Sequence, residues 1–183
     1  IYFTMASSPH THAPNSRAAL EKASEAYLLA GEQLPESITR VHIEHQGASF
    51  ATNFHVPTGK GPFPLVVASQ GSDQSKEMMF TYFEDYLAPR GIGLLSLDIP
   101  GMGGSAAYDL LDAQTEKLHI AAANWAKQQS QVKENAIFVQ GSSFGGHAAT
   151  RTFLQSDELD LAGVISVCGL VKSAFLAPPD VYA

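Results

Sequence analysis

The stretch "VQGSSFGGHAA", residues 139–149, holds the residue types that could do nucleophilic chemistry. Gly141-Ser142-Ser143-Phe144-Gly145 fits G-x-S-x-G with Ser143 at its centre. The pattern follows an apolar run that reads as a buried strand and opens a segment that reads as a helix, the context such a motif needs. A serine at a sharp strand-to-helix turn is lifted above the end of the sheet, and its backbone is strained. Its neighbours two residues away must then be small, which Gly141 and Gly145 satisfy, while Gly146 lets the new helix pack close to the sheet. The helix N-terminus offers free N–H groups to a developing anion, and the Phe144 N–H is the first oxyanion donor. Ser142 comes one place early, so its side chain should point away from a substrate. The plainer alternative is a tight turn with a glycine-rich helix start.

A second donor should come from the loop after an earlier strand. That loop is Gln70-Gly71-Ser72-Asp73. Gly71 permits a turn that aims a backbone N–H at the pocket, and Ser72 N–H is the candidate. Asp73 either caps the next helix or shapes the pocket, with the cap the first expectation. A third loop, Asp98-Ile99-Pro100-Gly101-Met102-Gly103-Gly104-Ser105, lacks the spacing and the position of a dinucleotide fingerprint. No G-x-x-x-x-G-K-[ST] phosphate loop is present. Asp98 reads as a structural residue that hydrogen-bonds the loop backbone.

A serine nucleophile needs a base and an orienting acid, which in this arrangement follow it in the chain as Asp or Glu and then His. After Ser143 the only histidine is His147, one turn along the same helix and without an acid behind it. Asp157, Glu158 and Asp160 precede a strand and belong to the opposite end of the sheet; Asp180 is poorly placed for a triad acid. His119 lies on a helix and His42, His45 and His55 on an edge hairpin, where packing or surface roles are the base case. His10 and His12 sit in a Ser-, Pro- and His-rich tail, residues 1–15, where a metal-binding, tag-like pair is the alternative to the first expectation, that they bind nothing. No histidine spacing argues for a metal, and no cofactor is called for. The triad is therefore not closed within these residues. Either acid and base lie beyond Ala183, or the protein is not a serine hydrolase.

The elements that must position these residues follow from periodicity. Residues 16–31 read as a helix capped by Ser16, with Leu20, Ala23, Tyr27 and Ala30 on its apolar face. Two strands, 39–45 and 48–55, flank a turn at Gln46-Gly47. The runs 64–69, 92–98, 135–141 and 161–169 read as strands covered on both faces. Helices are expected over 75–88, with Met79, Phe83, Tyr86 and Leu87 inside, over 109–129, with Leu111, Thr115, Leu118, Ala122, Trp125 and Ala126 inside, and over 143–156. Alternating strand and helix specifies a doubly wound, mostly parallel α/β sheet.

Bulk properties exclude more than they assign. The chain has 183 residues, 45% of them hydrophobic, enough for one domain with a sizeable core. A net charge of −7 argues against nucleic acid as a partner. The single cysteine, Cys168, forms no internal disulfide and fits a reducing, cytoplasmic setting. No apolar run approaches the length of a membrane span. The chain lacks an initiator Met and stops soon after an apparent strand, which suggests part of a longer protein.

The stretches "GPFPLVVASQGSDQSKEMMFTYFEDYLAPRGIGLLSLDIPGMGGS" and "FVQGSSFGGHAATRTFLQSDELDLAGVISVCGLV" resemble the fermentation-respiration switch (FrsA-like) family of α/β-hydrolases. The wider group includes dihydropseudooxynicotine hydrolase and fungal polyketide-cleaving hydrolases. The resemblance runs from about residue 16 to 183. It implies an α/β-hydrolase fold with an N-terminal helical region ending within 16–37, a core over 38–169, and a cap that begins over 170–183. It implies that the catalytic Asp and His follow Ala183. It assigns the nucleophile to Ser143 and the oxyanion donors to the backbone of Ser72 and Phe144. Some family members lack the central serine; this chain keeps it.

The resulting expectation is a cofactor-independent serine hydrolase acting on a small-molecule ester or on a carbon–carbon bond next to a ketone. The alternative is a non-catalytic ligand-binding or regulatory protein of the same fold. The N-terminal helix could also serve as a homodimer interface.

Overall fold

A computed structural model of the chain describes residues 14–110, 114–155 and 159–169. Residues 1–13 of the tail expected over 1–15, the cap segment over 170–183, and the positions of Asp157, Glu158 and Asp180 lie outside the described residues, as do His10, His12 and Leu111; Pro14 and Asn15, placed in the tail by the sequence, are helical.

Helix α1 (Pro14–Gly31) leads into a hairpin of β1 (Ser37–His45) and β2 (Ala48–Val56). The hairpin turns on Gln46 and Gly47, both at positive φ (50° and 79°), so the two-residue loop twists with its strands. Then come β3 (Phe63–Ser69), the helical segment α2 (76–90), β4 (Gly93–Leu97), α3 (Lys117–Lys127), β5 (Val132–Ser142), α4 (Phe144–Gln155) and β6 (Gly163–Val167). One six-stranded sheet results, in the order β1-β2-β4-β3-β5-β6. The four strands from β4 to β6 are parallel, and β2 joins β4 antiparallel, which makes the hairpin the edge of an α/β sheet.

Alternation along β3 separates two cores. Leu65 and Val67 join Leu95, Leu97, Ile137 and Val139 under Leu118, Ala122, Ala126 and Ala149 of α3 and α4. Val66 and Ala68 face Met79, Phe83 and Leu87 of α2 on the other side. At about 25 cal/mol per Å² of apolar surface, these two layers supply the driving force that closes the sheet on both faces.

Four elements differ from the periodicity reading. Strand β6 is not covered on both faces: Gly163 and Val164 are half-buried, and Ile165, Ser166 and Val167 are exposed, because β6 is an edge of the sheet among the described residues. Segment α2 mixes 3₁₀, α and π turns, with the π turn over Phe83–Leu87. A π turn takes more residues than an α turn, so the row Met79, Phe83, Leu87 stays inside while Tyr86 turns out, 57% exposed. Helix α3 starts at Lys117, not near 109. Asp109 and Leu110 are not helical, and Tyr108 just before them donates its hydroxyl to His45 O and Ala48 O at the hairpin turn (2.9 and 3.0 Å). In α1, Pro14 and Asn15 are already helical, so Ser16 lies inside the helix and does not cap it. The deeply buried residues of α1 are Ser24 and Gly31, and Ala30 is exposed, so this helix docks chiefly through polar contacts.

Candidate active site

Strand β5 ends at Ser142, and α4 begins at Phe144. Ser143 between them has φ +54°, the left-handed region that a side chain rarely occupies. The corner is held from both sides: Ser143 N–H donates to Val167 O of β6 at 2.9 Å, and Ser143 O accepts from His147 N–H at 3.2 Å. The side chain of Ser143 is exposed. The N–H groups of the first turn of α4 lack intrahelical partners, as at any helix start, and Phe144 carries the first of them.

The glycines around the serine are required by contact. A Cβ on Gly141 would stand 1.9 Å from Gly145 O, and one on Gly145 would stand 2.6 Å from Gln70 O and 2.7 Å from Ser69 O. These are backbone atoms that cannot swing aside. Gly146 lies equally close to the strand side, where a Cβ would stand 2.9 Å from Gly169 Cα and 3.0 Å from Val167 O.

The loop after β3 reaches the same corner. A Cβ on Gly71 would stand 3.1 Å from Ser143 Cβ and 3.4 Å from its Oγ. Ser72 and Asp73 are exposed in a turn closed by Gln74 N–H on Gly71 O at 3.3 Å. Asp73 is not a helix cap: Ser75 holds the cap position of the following 3₁₀ turn, and its side chain makes no capping hydrogen bond. The Asp73 carboxylate sits instead beside Gly71, 3.3 Å from where a Cβ would be. The structure thus brings Ser143, Phe144, Gly71, Ser72 and Asp73 to one end of the parallel strands, where ligands of open α/β sheets bind.

No described residue hydrogen-bonds Ser143 Oγ among the contacts of this corner. His147 is half-buried, with its ring 6.2 Å from that of Phe144. Asp160 precedes β6, at the far end of the sheet. His42 is exposed, His45 is half-buried beside Tyr108, and His55 and His119 are buried. Cys168 is a free, exposed thiol. Among the described residues no three His, Cys, Asp or Glu side chains gather as a metal site.

Two buried polar groups lie near this end of the sheet. Asp98, 2% exposed, accepts from Lys76 N–H (2.7 Å), Lys76 Nζ (2.9 Å) and Gly104 N–H (2.8 Å). This bears out the structural reading of Asp98 and adds its partner. Lys76 Nζ also pairs with Glu77 (3.0 Å), and Glu77 accepts from Ser24 of α1 and lies 3.4 Å from Arg40 of β1. Burial pushes the Glu77 carboxyl up, but the Lys76 charge and the hydrogen bonds from Ser24 and Lys76 outweigh it and hold the group at about 2. Burial lowers Lys76, and Asp98 and Glu77 together raise it further than burial depresses it. The second group is His119 Nε2 against Ser69 Oγ at 2.9 Å, beneath the corner. The Lys76–Asp98 and Ser69–His119 contacts have no sequence signal, since they join residues 22 and 50 apart with no shared period.

A cavity of about 360 Å³ opens between α1 and the 101–106 loop, lined by Leu20, Ser24, Arg40, Lys76, Met102 and Gly104 among others. It shares the edge of the sheet with Ser143 but stands over β2, three strands from β5 and therefore about 14 Å away. Ser143 does not line it. Its buried charges are already paired, whereas Ser143 is exposed beside backbone N–H groups, so the corner is the better candidate for chemistry.

A mixed sheet clothed by helices, with a strained serine on the strand-to-helix corner, defines the α/β-hydrolase fold. Solved structures share it. The crystal structure of 2,6-dihydroxy-pseudo-oxynicotine hydrolase superposes with a TM-score of 0.78 at 26% identity, over 91% of this chain and 48% of that one. AbyA5 superposes at 0.79 and 19% identity, over 99% and 51%. The "Esterase FrsA-like" family profile matches residues 1–181, and the chain belongs to that family. Esterase FrsA of Enterobacter sp. (strain 638) is 30% identical over 181 residues, 97% of this chain and 43% of that protein. Esterase FrsA of Salmonella newport (strain SL254) is 32% identical over 160 residues. The chain spans less than half the length of the curated relatives it matches. No helix among the described residues is long and apolar enough to cross a membrane.

Proposed function

We propose that the protein is a serine hydrolase acting on an ester, or on a carbon–carbon bond next to a ketone, with Ser143 as nucleophile. The observation that carries this reading is the φ of +54° at an exposed serine whose flanking glycines are pressed to backbone contact. Strained non-glycine residues cluster at active sites and ligand clamps, where the surrounding structure over-determines them.

Ser143 Oγ attacks the carbonyl carbon while its proton passes to an imidazole supplied by the remainder of the protein, as the family resemblance implies. The carbonyl oxygen becomes an oxyanion held by the N–H groups of Phe144 and Ser72. Collapse expels the alcohol, which takes the proton from the imidazolium and leaves an acyl-Ser143. Water, deprotonated by the same imidazole, attacks that acyl group and returns Ser143 with a free carboxylic acid. For a β-ketoacyl substrate the leaving group is an enolate carbon in place of an alkoxide. His119 is not the base, because it is fully buried and bonded to Ser69. The cavity beside Arg40 and Lys76 favours a second reading, a ligand-binding protein without catalysis.

One experiment separates the two. The full-length protein is treated with a fluorophosphonate probe, and the labelled peptide is mapped. Labelling at Ser143, lost in Ser143→Ala together with ester hydrolysis, supports the hydrolase. An unlabelled Ser143 in a folded protein refutes it and leaves the binding reading.

A further inference from the structure

The two proposed oxyanion donors belong to different loops. Ser72 follows β3 and Phe144 follows β5, so their separation must be set by whatever fixes one loop against the other. Ser69, the last residue of β3, occupies that position: a Cβ on Gly145 would stand 2.5 Å from its Oγ and 2.7 Å from its carbonyl oxygen. The Ser69 side chain, 1% exposed, therefore lies against the second residue of α4, two positions after Ser143. Its hydroxyl is held from below by His119 Nε2 at 2.9 Å. His119 comes from α3, and α3 is itself bound to α4: Glu116, at the start of α3, pairs with Arg151 of α4 at 2.7 Å.

His119 is expensive for a purely packing residue. It is 0% exposed, and its Nδ1 is buried with no hydrogen-bond partner among the described residues. A leucine would fill the same space without that cost. Burial lowers the imidazole to about 4, with Glu116 opposing, so the ring is neutral across the range in which esterases work. Such a ring holds Ser69 without placing a charge under the oxyanion.

Resting on the hydrolase reading above, we propose that His119 is a positioning residue: through the Ser69 hydroxyl it sets the spacing between the loops that carry the Ser72 and Phe144 N–H donors. It touches neither substrate nor Ser143. Its partner Ser69 acts the same way, as the wedge between β3 and α4.

The test uses the full-length protein with Ser69→Ala, His119→Leu, their double variant and His119→Gln. Each is assayed with a p-nitrophenyl ester at a temperature where circular dichroism shows it fully folded. Ser69→Ala removes one oxygen and keeps the fold testable should His119→Leu not fold. Loosening a donor pair by a fraction of an ångström is expected to lower kcat 10- to 100-fold with KM within about twofold. The double variant should lose no more than either single one, and His119→Gln, whose carboxamide reaches Ser69, should recover most of the rate. Unchanged kcat in folded variants, or losses that multiply in the double variant, would overturn the proposal. Hydrogen exchange supplies a readout that does not depend on activity. Peptides covering 70–74 and 143–147 should exchange at least about tenfold faster in Ser69→Ala while the rest of the sheet is unchanged. If the wild type is inactive and its Ser143 is not labelled by the fluorophosphonate probe, but both loops loosen, the hydrolase reading fails and the coupling stands. If neither loop changes, the positioning role is refuted even in an active enzyme.

Discussion

At Ser143 the backbone and the chemistry pull in opposite directions. A non-glycine residue in the left-handed region costs on the order of 1 kcal/mol or more, and Ser143 sits there at φ +54°. Ser143→Gly should therefore raise stability by about 1 kcal/mol while abolishing ester hydrolysis, because glycine also substitutes for serine at a helix start with little loss. Urea unfolding of the two proteins checks this; a glycine variant less stable than the wild type would show that the serine is not strained. The flanking glycines carry the opposite expectation. In Gly141→Ala the new methyl meets Gly145 O at 1.9 Å, and both partners are backbone. That variant should lose about 3 kcal/mol or more, at the upper end for overpacking, and a melting temperature equal to wild type would contradict the packing described here. Both glycines and the serine were legible in the sequence because the G-x-S-x-G spacing encodes the corner. The crowding of Gly145 against Ser69 was not, since the two are 76 positions apart in the chain.

The strands and helices were legible to the extent that local periodicity determines them. Strands β3, β4 and β5 announce themselves as apolar runs because both of their faces are covered. Helix α3 is shorter than the apolar spacing over 109–129 predicts, because that spacing does not mark where a helix starts, and no side chain caps α3 at Glu116. The spacing in α1 predicts an apolar docking face, but what docks it is polar: Ser24 donates to Glu77, Arg40 donates to Ser24 at 2.6 Å, and Tyr27 donates to His55 Nε2 at 2.6 Å. The last bond has one assignable direction, because His55 Nδ1 lies 3.1 Å from Leu94 O and must carry the proton it shares with that carbonyl. At the centre of the same junction, Lys76 is 3% exposed between Glu77 and Asp98. Lys76→Met would strand two carboxylates in the interior and should cost about 3–5 kcal/mol. Tyr27→Phe should cost only about 1–3 kcal/mol, the penalty of one buried acceptor left unpaired. Chemical denaturation of the pair gives the ranking, and a Lys76→Met protein as stable as Tyr27→Phe would mean that the buried charges contribute little to holding loop, strand and helix together.

For the molecule as a whole, the buried ionisable groups predict a two-stage acid response. Burial lowers His55 to about 4, with its bonds to Leu94 and Asn53 and the Glu77 charge opposing, and burial lowers His119 to about 4 as well. Both titrate near 6.5 in the unfolded chain, so between those values the unfolded state binds more protons than the folded one. Stability from these two residues is complete above pH 6.5 and is lost as pH falls through 4, by roughly 3 kcal/mol each at the limit. His45, lowered by burial and by Lys117, contributes in the same direction. Glu77 acts later: its folded value near 2 lies below the ordinary 4.5, so its contribution is complete above 4.5 and drains away as pH drops toward 2. The urea midpoint should accordingly be flat from about pH 7 to 9, fall between pH 6.5 and 4, and fall again below 4.5 as Glu77 protonates. His55→Gln should start from lower stability yet show a shallower upper stage, because one of the two buried imidazoles no longer has to charge on unfolding. A midpoint that stays level from pH 7 down to 4.5 would mean that neither ring is harder to protonate in the fold than in the unfolded chain, so that burial does not hold His55 and His119 neutral in acid.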